Sequence, residues 1–280
     1  MSYRIVSDSA CSLFSLEGAD FKSVPLKIVA GDKEYIDAPG VNTDQMVKEL
    51  LVTKEKTHTS CPNVYDWLTA FEGADRILAI TITSKLSGSN SAAVRAAKEY
   101  EESHPGAKVH VIDSLSAGPE MILLIEKLRD FISQNLSFEE ITRKIHDYMD
   151  HTHLLFSLES LANLARNGRV NPAVAKIAGV LGIRMVGKAK DGTLAPLHKC
   201  RGEKKALCCI FDEMQAHGYL GGRARIIHCM NEAAAAFLSD LLKSHFPRAD
   251  VSITPCTALC AYYAEKGGLL IGYEDGSLMA

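Results

Sequence analysis

Several signatures that would assign a class at once are missing from this chain. Lys and Arg are spread along the 280 residues, and the formal net charge is -3. A nucleic-acid surface normally shows a clustered basic patch, so no nucleic-acid partner is expected. The opening Met1-Ser2-Tyr3-Arg4-Ile5-Val6-Ser7-Asp8 has no basic segment followed by an apolar run and a small-residue cleavage site. A signal peptide is therefore not expected, and the expected location is cytoplasmic. No apolar run approaches the roughly 18 residues that span a bilayer; the stretch from Ala233 to Leu238 is far shorter. That leaves at most transient contact with a membrane surface.

Metal-binding and hydrolytic patterns are also missing. Eight cysteines occur, at positions 11, 61, 200, 208, 209, 229, 256 and 260, but no two form Cys-x-x-Cys. Cys256 and Cys260 have helical spacing, and reduced structural thiols without a metal are the expectation. No Gly-x-Ser-x-Gly elbow is present. The ten histidines form no recognisable nucleophile–base pattern, and Glu101-Glu102 and Glu139-Glu140 read as solvated helix faces. The composition, 47% hydrophobic and 23% charged, is that of an ordinary globular protein.

What is present is an alternation of strands and helices. Arg4 to Ser7 reads as a strand and Lys22 to Val29 as another, turning at Gly31-Asp32 into Glu34-Tyr35-Ile36. Thr43 is placed to cap a helix running to about Lys54, with Met46, Val47, Leu50 and Leu51 on one face. Pro62 suits the first turn of a helix carrying Tyr65, Trp67, Leu68 and Phe71. Arg76 to Thr83 and Lys108 to Asp113 read as strands buried on both faces, with a helix over Ser91 to Glu101 between them. Two helices follow, the second opening on the capping-box pattern Ser137-Phe138-Glu139-Glu140.

From about His153 the texture changes. His153 to Leu158 reads as a strand, and Leu158, Leu161 and Leu164 recur at helical spacing up to Asn167-Gly168. Ile183 to Lys188 and Thr193 to His198 flank Asp191-Gly192, a hairpin signal. Strands at Arg225 to Cys229, Val251 to Thr254 and Leu269 to Tyr273 alternate with helices. The expected fold is α/β in two domains. Residues 1–150 hold a mostly parallel sheet flanked by helices, and residues 151–280 a mixed sheet with helices.

Three polar loops lie at strand ends or helix starts, where open α/β sheets bind ligands. Thr59-Ser60-Cys61-Pro62-Asn63 offers two hydroxyls before a helix, fit either to hold an anion or simply to cap. Ser84 to Ala92 carries Ser87 and Gly88, where the backbone can approach a ligand closely. It reads as a phosphate or carboxylate cradle, or as a serine-rich turn; it lacks the glycine–lysine pair of a Walker loop. Asp113-Ser114-Leu115-Ser116-Ala117-Gly118 follows a strand, and Asp113 is placed to accept backbone hydrogen bonds from neighbouring loops.

Five segments in order resemble one known family. Ile5-Val6-Ser7-Asp8-Ser9, Thr59-Ser60-Cys61-Pro62-Asn63, Leu86-Ser87-Gly88-Ser89 with Asn90-Ser91-Ala92, Leu158 through Arg169-Val170, and Ile183-Arg184-Met185 with Asp191-Gly192 and Arg201 are similar to motifs of the DegV family of bacterial fatty-acid-binding proteins. That family includes the binding subunits of bacterial fatty acid kinase. The resemblance implies a long-chain fatty acid in an apolar tunnel between the domains and no catalysis by the protein itself. It also implies no cofactor beyond the bound lipid, and a fatty acid kinase catalytic subunit as a partner. Thr59, beside Ser60, and Ser87 would hold the carboxylate, with the Gly88 N–H as a third donor. Arg169 and Arg201 match basic positions near the ligand mouth or the kinase-facing surface. The family's His-x-Gly-Pro-Gly stretch is replaced by Tyr263-Ala264-Glu265-Lys266-Gly267, which puts Tyr263 in the place of the histidine. Gly118-Pro119-Glu120 stand where the family has a second serine and further glycines. The competing reading is an enzyme on a related scaffold, acting on a small phosphorylated or carboxylated metabolite, with Asp113 or a histidine as base. A third reading keeps the lipid pocket but has no kinase partner.

Overall fold

A computed structural model describes residues 2–173 and 182–279. The first half runs β1 (Tyr3–Asp8), β2 (Phe21–Val24), β3 (Lys27–Ala30), β4 (Lys33–Ile36), α1 (Thr43–Val52), β5 (Thr57–Ser60), α2 (Val64–Phe71), β6 (Arg76–Thr81), α3 (Ser89–Ser103), β7 (Lys108–Asp113), α4 (Pro119–Ser133) and α5 (Phe138–Met149). The second runs β8 (Thr152–Leu158), α6 (Ala162–Arg166), β9 (Ile183–Lys190), β10 (Thr193–Arg201), α7 (Glu203–Ala216), β11 (Arg223–His228), α8 (Glu232–His245), β12 (Asp250–Pro255), α9 (Ala258–Ala264) and β13 (Leu269–Glu274).

Two of the sheets are those the alternation predicts. A parallel sheet has the order β2-β1-β6-β7, and a mixed sheet the order β10-β9-β8-β13-β11-β12. Only β11 and β12 run parallel in the second; its other neighbours are antiparallel. The Asp191-Gly192 hairpin joins β9 and β10 with both turn residues at positive φ, 50° and 78°. That is the backbone a two-residue type I′ turn requires.

A third sheet, β4-β3-β5, was not expected. The segment Lys22–Val29 is two strands rather than one. Pro25, which has no N–H to donate, separates β2 in the parallel sheet from β3 in the small antiparallel one. Leu26 then donates its N–H to Ser9 Oγ at 2.9 Å instead of continuing a ladder.

Four local expectations also need correction. Strand β7 is not buried on both faces: it is the edge of its sheet, and only Ile112 is fully buried. Leu158 ends β8 and does not open the following helix, which spans only Ala162–Arg166. Asn42, not Thr43, caps α1, accepting from Gln45 N at 3.0 Å, and Leu51 on that helix is exposed. Asn63 caps α2, so Thr59 and Ser60 are strand residues and not a cap.

Helix α4 ties the halves together. Met121 to Ile125 are five consecutive buried residues, and a helix apolar all round belongs inside a core. It packs on β1 and β6 on one side and on β8, β11 and β13 on the other. Gly272 of β13 makes this possible: a Cβ there would lie 2.5 Å from the backbone of Pro119 and Glu120. Glu126 and Asp130 of α4 pair with Arg225 and Arg223 of β11. Helices α2 and α3 cover the outer face of the parallel sheet, and α7 and α8 that of the mixed sheet. Among the described residues no helix is long and apolar enough to cross a membrane.

Candidate functional site

An apolar cavity lies between the parallel and mixed sheets. Its first half contributes Ala10, Leu26, Ile82, Leu86 and Ala117. Along β8, Leu154, Phe156 and Leu158 all line it, because alternate residues of a strand share a face. Leu164 of α6, Leu194 of β10, Leu259, Cys260 and Ala264 of α9 and Leu270 of β13 complete the apolar wall. About 150 Å³ is open to the centres of water-sized molecules. One water needs roughly 10–15 Å³ on that measure, so the space takes several waters or a run of methylenes.

Polar groups gather where β5, the loop before α3, and α9 meet. Thr59, Cys61, Ser87, Gly88, Arg169 and Tyr263 all line the cavity. The Thr59 hydroxyl and Tyr263 OH lie 2.7 Å apart. Burial pushes the Tyr263 phenol up, while the Thr59 hydroxyl and the Arg169 charge oppose the shift. Ser87 Oγ accepts from Ser89 N at 3.2 Å, and Gly88 immediately precedes α3. A Cβ on Gly88 would lie 3.3 Å from Cys61 Sγ, so the two loops abut. Arg169 is the charged residue of the lining among the described residues. Its guanidinium is aimed by Leu86 O, which accepts from Nε at 3.0 Å, and by Asn167 O.

Three acids, of which Asp8 and Asp37 are buried and Asp113 is half-buried, hold these loops in place. Asp8 Oδ2 accepts from Ile82 N at 3.0 Å and from Ser89 Oγ at 2.6 Å, and burial pushes its carboxyl up to about 7. Asp113 Oδ1 accepts from Ser84 N and Leu115 N at 3.1 and 3.2 Å, the loop-organising role its position predicted. Asp37 accepts from Ala258 N at 2.7 Å and Thr257 Oγ1 at 3.1 Å, which caps α9 from across the molecule. Burial raises that carboxyl to about 6. Beside Tyr263, Tyr262 OH meets Thr57 Oγ1 at 2.8 Å and accepts from Asn167 Nδ2 at 2.9 Å.

Of the seven residues singled out from the chain, five converge here: Thr59, Ser87, Gly88, Arg169 and Tyr263. The other two do not. Ser60 is exposed and its hydroxyl donates to Cys61 O, and Arg201 is exposed at the end of β10. Asp37 and Tyr262 are not marked by the sequence, and Asp8 enters there only within the Ile5–Ser9 motif, with no role given to it. An acid at the end of the first strand was the available signal for Asp8. Nothing local marks Asp37, whose partners lie about 220 residues away. All eight cysteines are free, and Cys61 is exposed at the polar end of the cavity. The described residues contain no group of three or more metal-ligating side chains.

Two α/β units thus enclose an apolar cavity that carries hydroxyls and, among the described residues, one arginine. The chain belongs to the DegV family, whose model matches residues 2–275. It is 45% identical over 279 residues to a DegV domain-containing protein of Streptococcus pneumoniae, covering 98% of this chain and 99% of that one. The Streptococcus pneumoniae fatty acid kinase (Fak) B3 protein, solved loaded with linoleic acid, superposes with a TM-score of 0.96 at 45% identity, covering 98% of this chain and 99% of that one. A DegV family protein of Eubacterium eligens, solved loaded with heptadecanoic acid, has a TM-score of 0.96 at 42% identity, covering 98% and 100%.

Proposed function

We propose that this protein holds one long-chain fatty acid and presents it to another protein without turning it over itself. The observation that carries this reading is the cluster of Thr59, Ser87, Gly88, Arg169 and Tyr263 on one part of an otherwise apolar cavity. A carboxylate taken out of water is very costly unless donors replace its hydration. Two hydroxyls, the Gly88 N–H, the Tyr263 phenol and the Arg169 guanidinium are the donors within reach of that part of the cavity. The acyl chain lies along Leu154, Phe156, Leu158, Leu259 and Leu270. A palmitate tail has about 14 methylenes, each worth roughly 0.8 kcal/mol when buried. That gross gain, on the order of 11 kcal/mol, offsets the freedom lost on binding.

The division of labour falls between residues 1–150, which supply Thr59, Ser87 and Gly88, and residues 151–280, which supply Arg169, Tyr263 and most of the acyl wall. A fatty acid kinase catalytic subunit is the partner that the relationship to the Fak B3 protein supports. The deciding experiment is to denature the purified protein and run mass spectrometry on the extract. A stoichiometric C14 to C18 fatty acid is expected. No lipid, together with failure to bind added palmitate, overturns the reading.

A further inference from the structure

We infer that Phe156 is a specificity-determining residue that decides whether a bent acyl chain fits, an inference that rests on reading the cavity as an acyl site. A second apolar recess lies beside the first. Phe156 and Leu194 line both, and Leu161, Val170, Met185 and Pro196 complete the second with Asn171. On the same measure the recess offers about 140 Å³, nearly as much as the main cavity. Two side chains therefore partition one larger apolar space.

The sheet register explains how one ring does this. Leu270, Phe156, Gly187 and Pro196 are successive cross-strand partners on β13, β8, β9 and β10. Directly opposed residues share a face of the sheet. Gly187 leaves that row without a side chain, and the Phe156 ring occupies the vacancy. A Cβ on Gly187 would come within 2.3 Å of Phe156 Cζ and 2.6 Å of Cε2. The ring thus leans over β9, between Leu270 of the main cavity and Pro196 of the recess. It is 4% exposed, so it is a wall and not a surface group.

With the ring in place, a chain whose carboxylate lies at Thr59 and Ser87 meets Leu154, Phe156 and Leu158 of β8 as a continuous wall. A cis double bond turns the chain sideways and needs lateral space where the ring stands. Removing the ring joins the recess to the cavity. Among the described residues its lining is apolar apart from Asn171, so methylenes that enter it gain burial as those in the main cavity do.

The test compares stearate with oleate, equal in length and different by one cis double bond, in titrations of wild type, Phe156→Ala, Phe156→Leu and Leu194→Ala. Space worth one methylene changes discrimination roughly 10-fold or more. Phe156→Ala is expected to raise the oleate-to-stearate affinity ratio at least about 10-fold. Phe156→Leu and Leu194→Ala should shift it the same way by less. Phe156→Leu keeps the test valid if the alanine variant does not fold. An unchanged ratio in the variants that fold overturns the partition and leaves the acyl-site reading standing. Wild type that binds neither lipid overturns the acyl-site reading, and this inference with it.

Discussion

Thr59 and Ser60 show how one residue of spacing separates a ligand group from a surface group. Both carry hydroxyls and lie side by side on β5, but successive strand residues point to opposite faces. Thr57 and Thr59 face Tyr262 and Tyr263, while Ser60 faces out. The head-group reading makes a direct prediction here. A hydrogen bond to a charged group contributes about 1.5–3 kcal/mol, so Thr59→Ala and Ser87→Ala should each weaken palmitate binding by roughly 10- to 100-fold. Calorimetric titration checks this, and wild-type affinity in both variants removes the assigned head-group site. The hydroxyl-rich loops were legible in the chain. The 2.7 Å contact between Thr59 and Tyr263 was not, because 204 residues separate them.

At the scale of elements, the start of α2 separates capping from binding. Asn63 Oδ1 accepts from Asp66 N at 3.1 Å, and Asp66 Oδ2 accepts from Asn63 N at 2.8 Å, a reciprocal capping box. Replacing such a cap by alanine costs about 1 kcal/mol. Asn63→Ala should therefore lower unfolding stability by about that amount and leave palmitate affinity near wild type. Thr59→Ala should do the reverse, weakening palmitate binding and leaving the cap intact. Urea unfolding alongside palmitate titration tells them apart, and loss of the cap's contribution in Thr59→Ala would return that residue to a structural role. The short strand before this helix is not legible in the sequence, because β5 has only four residues and its pairing partner is β3, about 30 residues earlier.

Across the whole molecule, buried carboxyls link stability to pH. Glu120 sits near the start of α4, between the two large sheets. Its Oε1 accepts from Thr152 Oγ1 at 2.9 Å and its Oε2 from Ser116 Oγ, and among the described residues no cation pairs with it. Burial is the main cause that pushes it up to about 7, against those two hydroxyls. A folded-state value above the unfolded one means that the folded protein keeps a proton the unfolded chain releases. The contribution is full below about pH 4, falls as pH rises to about 7, and is flat above that. Asp8 and Asp37 act in the same direction. Glu120→Gln should remove its share, a few kcal/mol at most, and so flatten the loss of stability from pH 4.5 to 8. Denaturant midpoints measured across that range check it; an unchanged slope would show that Glu120 is not a source of the pH dependence.

The sequence by itself determined what depends on neighbours along the chain. The Asp191-Gly192 turn, the Ser137–Glu140 capping box, the apolar strand β6 and the loop carrying Ser87 are each written in a few adjacent residues. The two-sheet α/β architecture follows from their order, and the family motifs marked the chain as one of the DegV proteins. Only the tertiary structure decided what depends on distant residues. Pro25 could be read as a break, but the assignment of its flanking strands to different sheets rests on long-range pairing. Asp37 caps a helix it is nowhere near in the chain, and Phe156 reaches over a glycine on a neighbouring strand. The cavity is the clearest case: its wall is drawn from residue 10 to residue 270. Local periodicity tells which face of an element is apolar, whereas a cavity exists only where several such faces meet without filling the space between them.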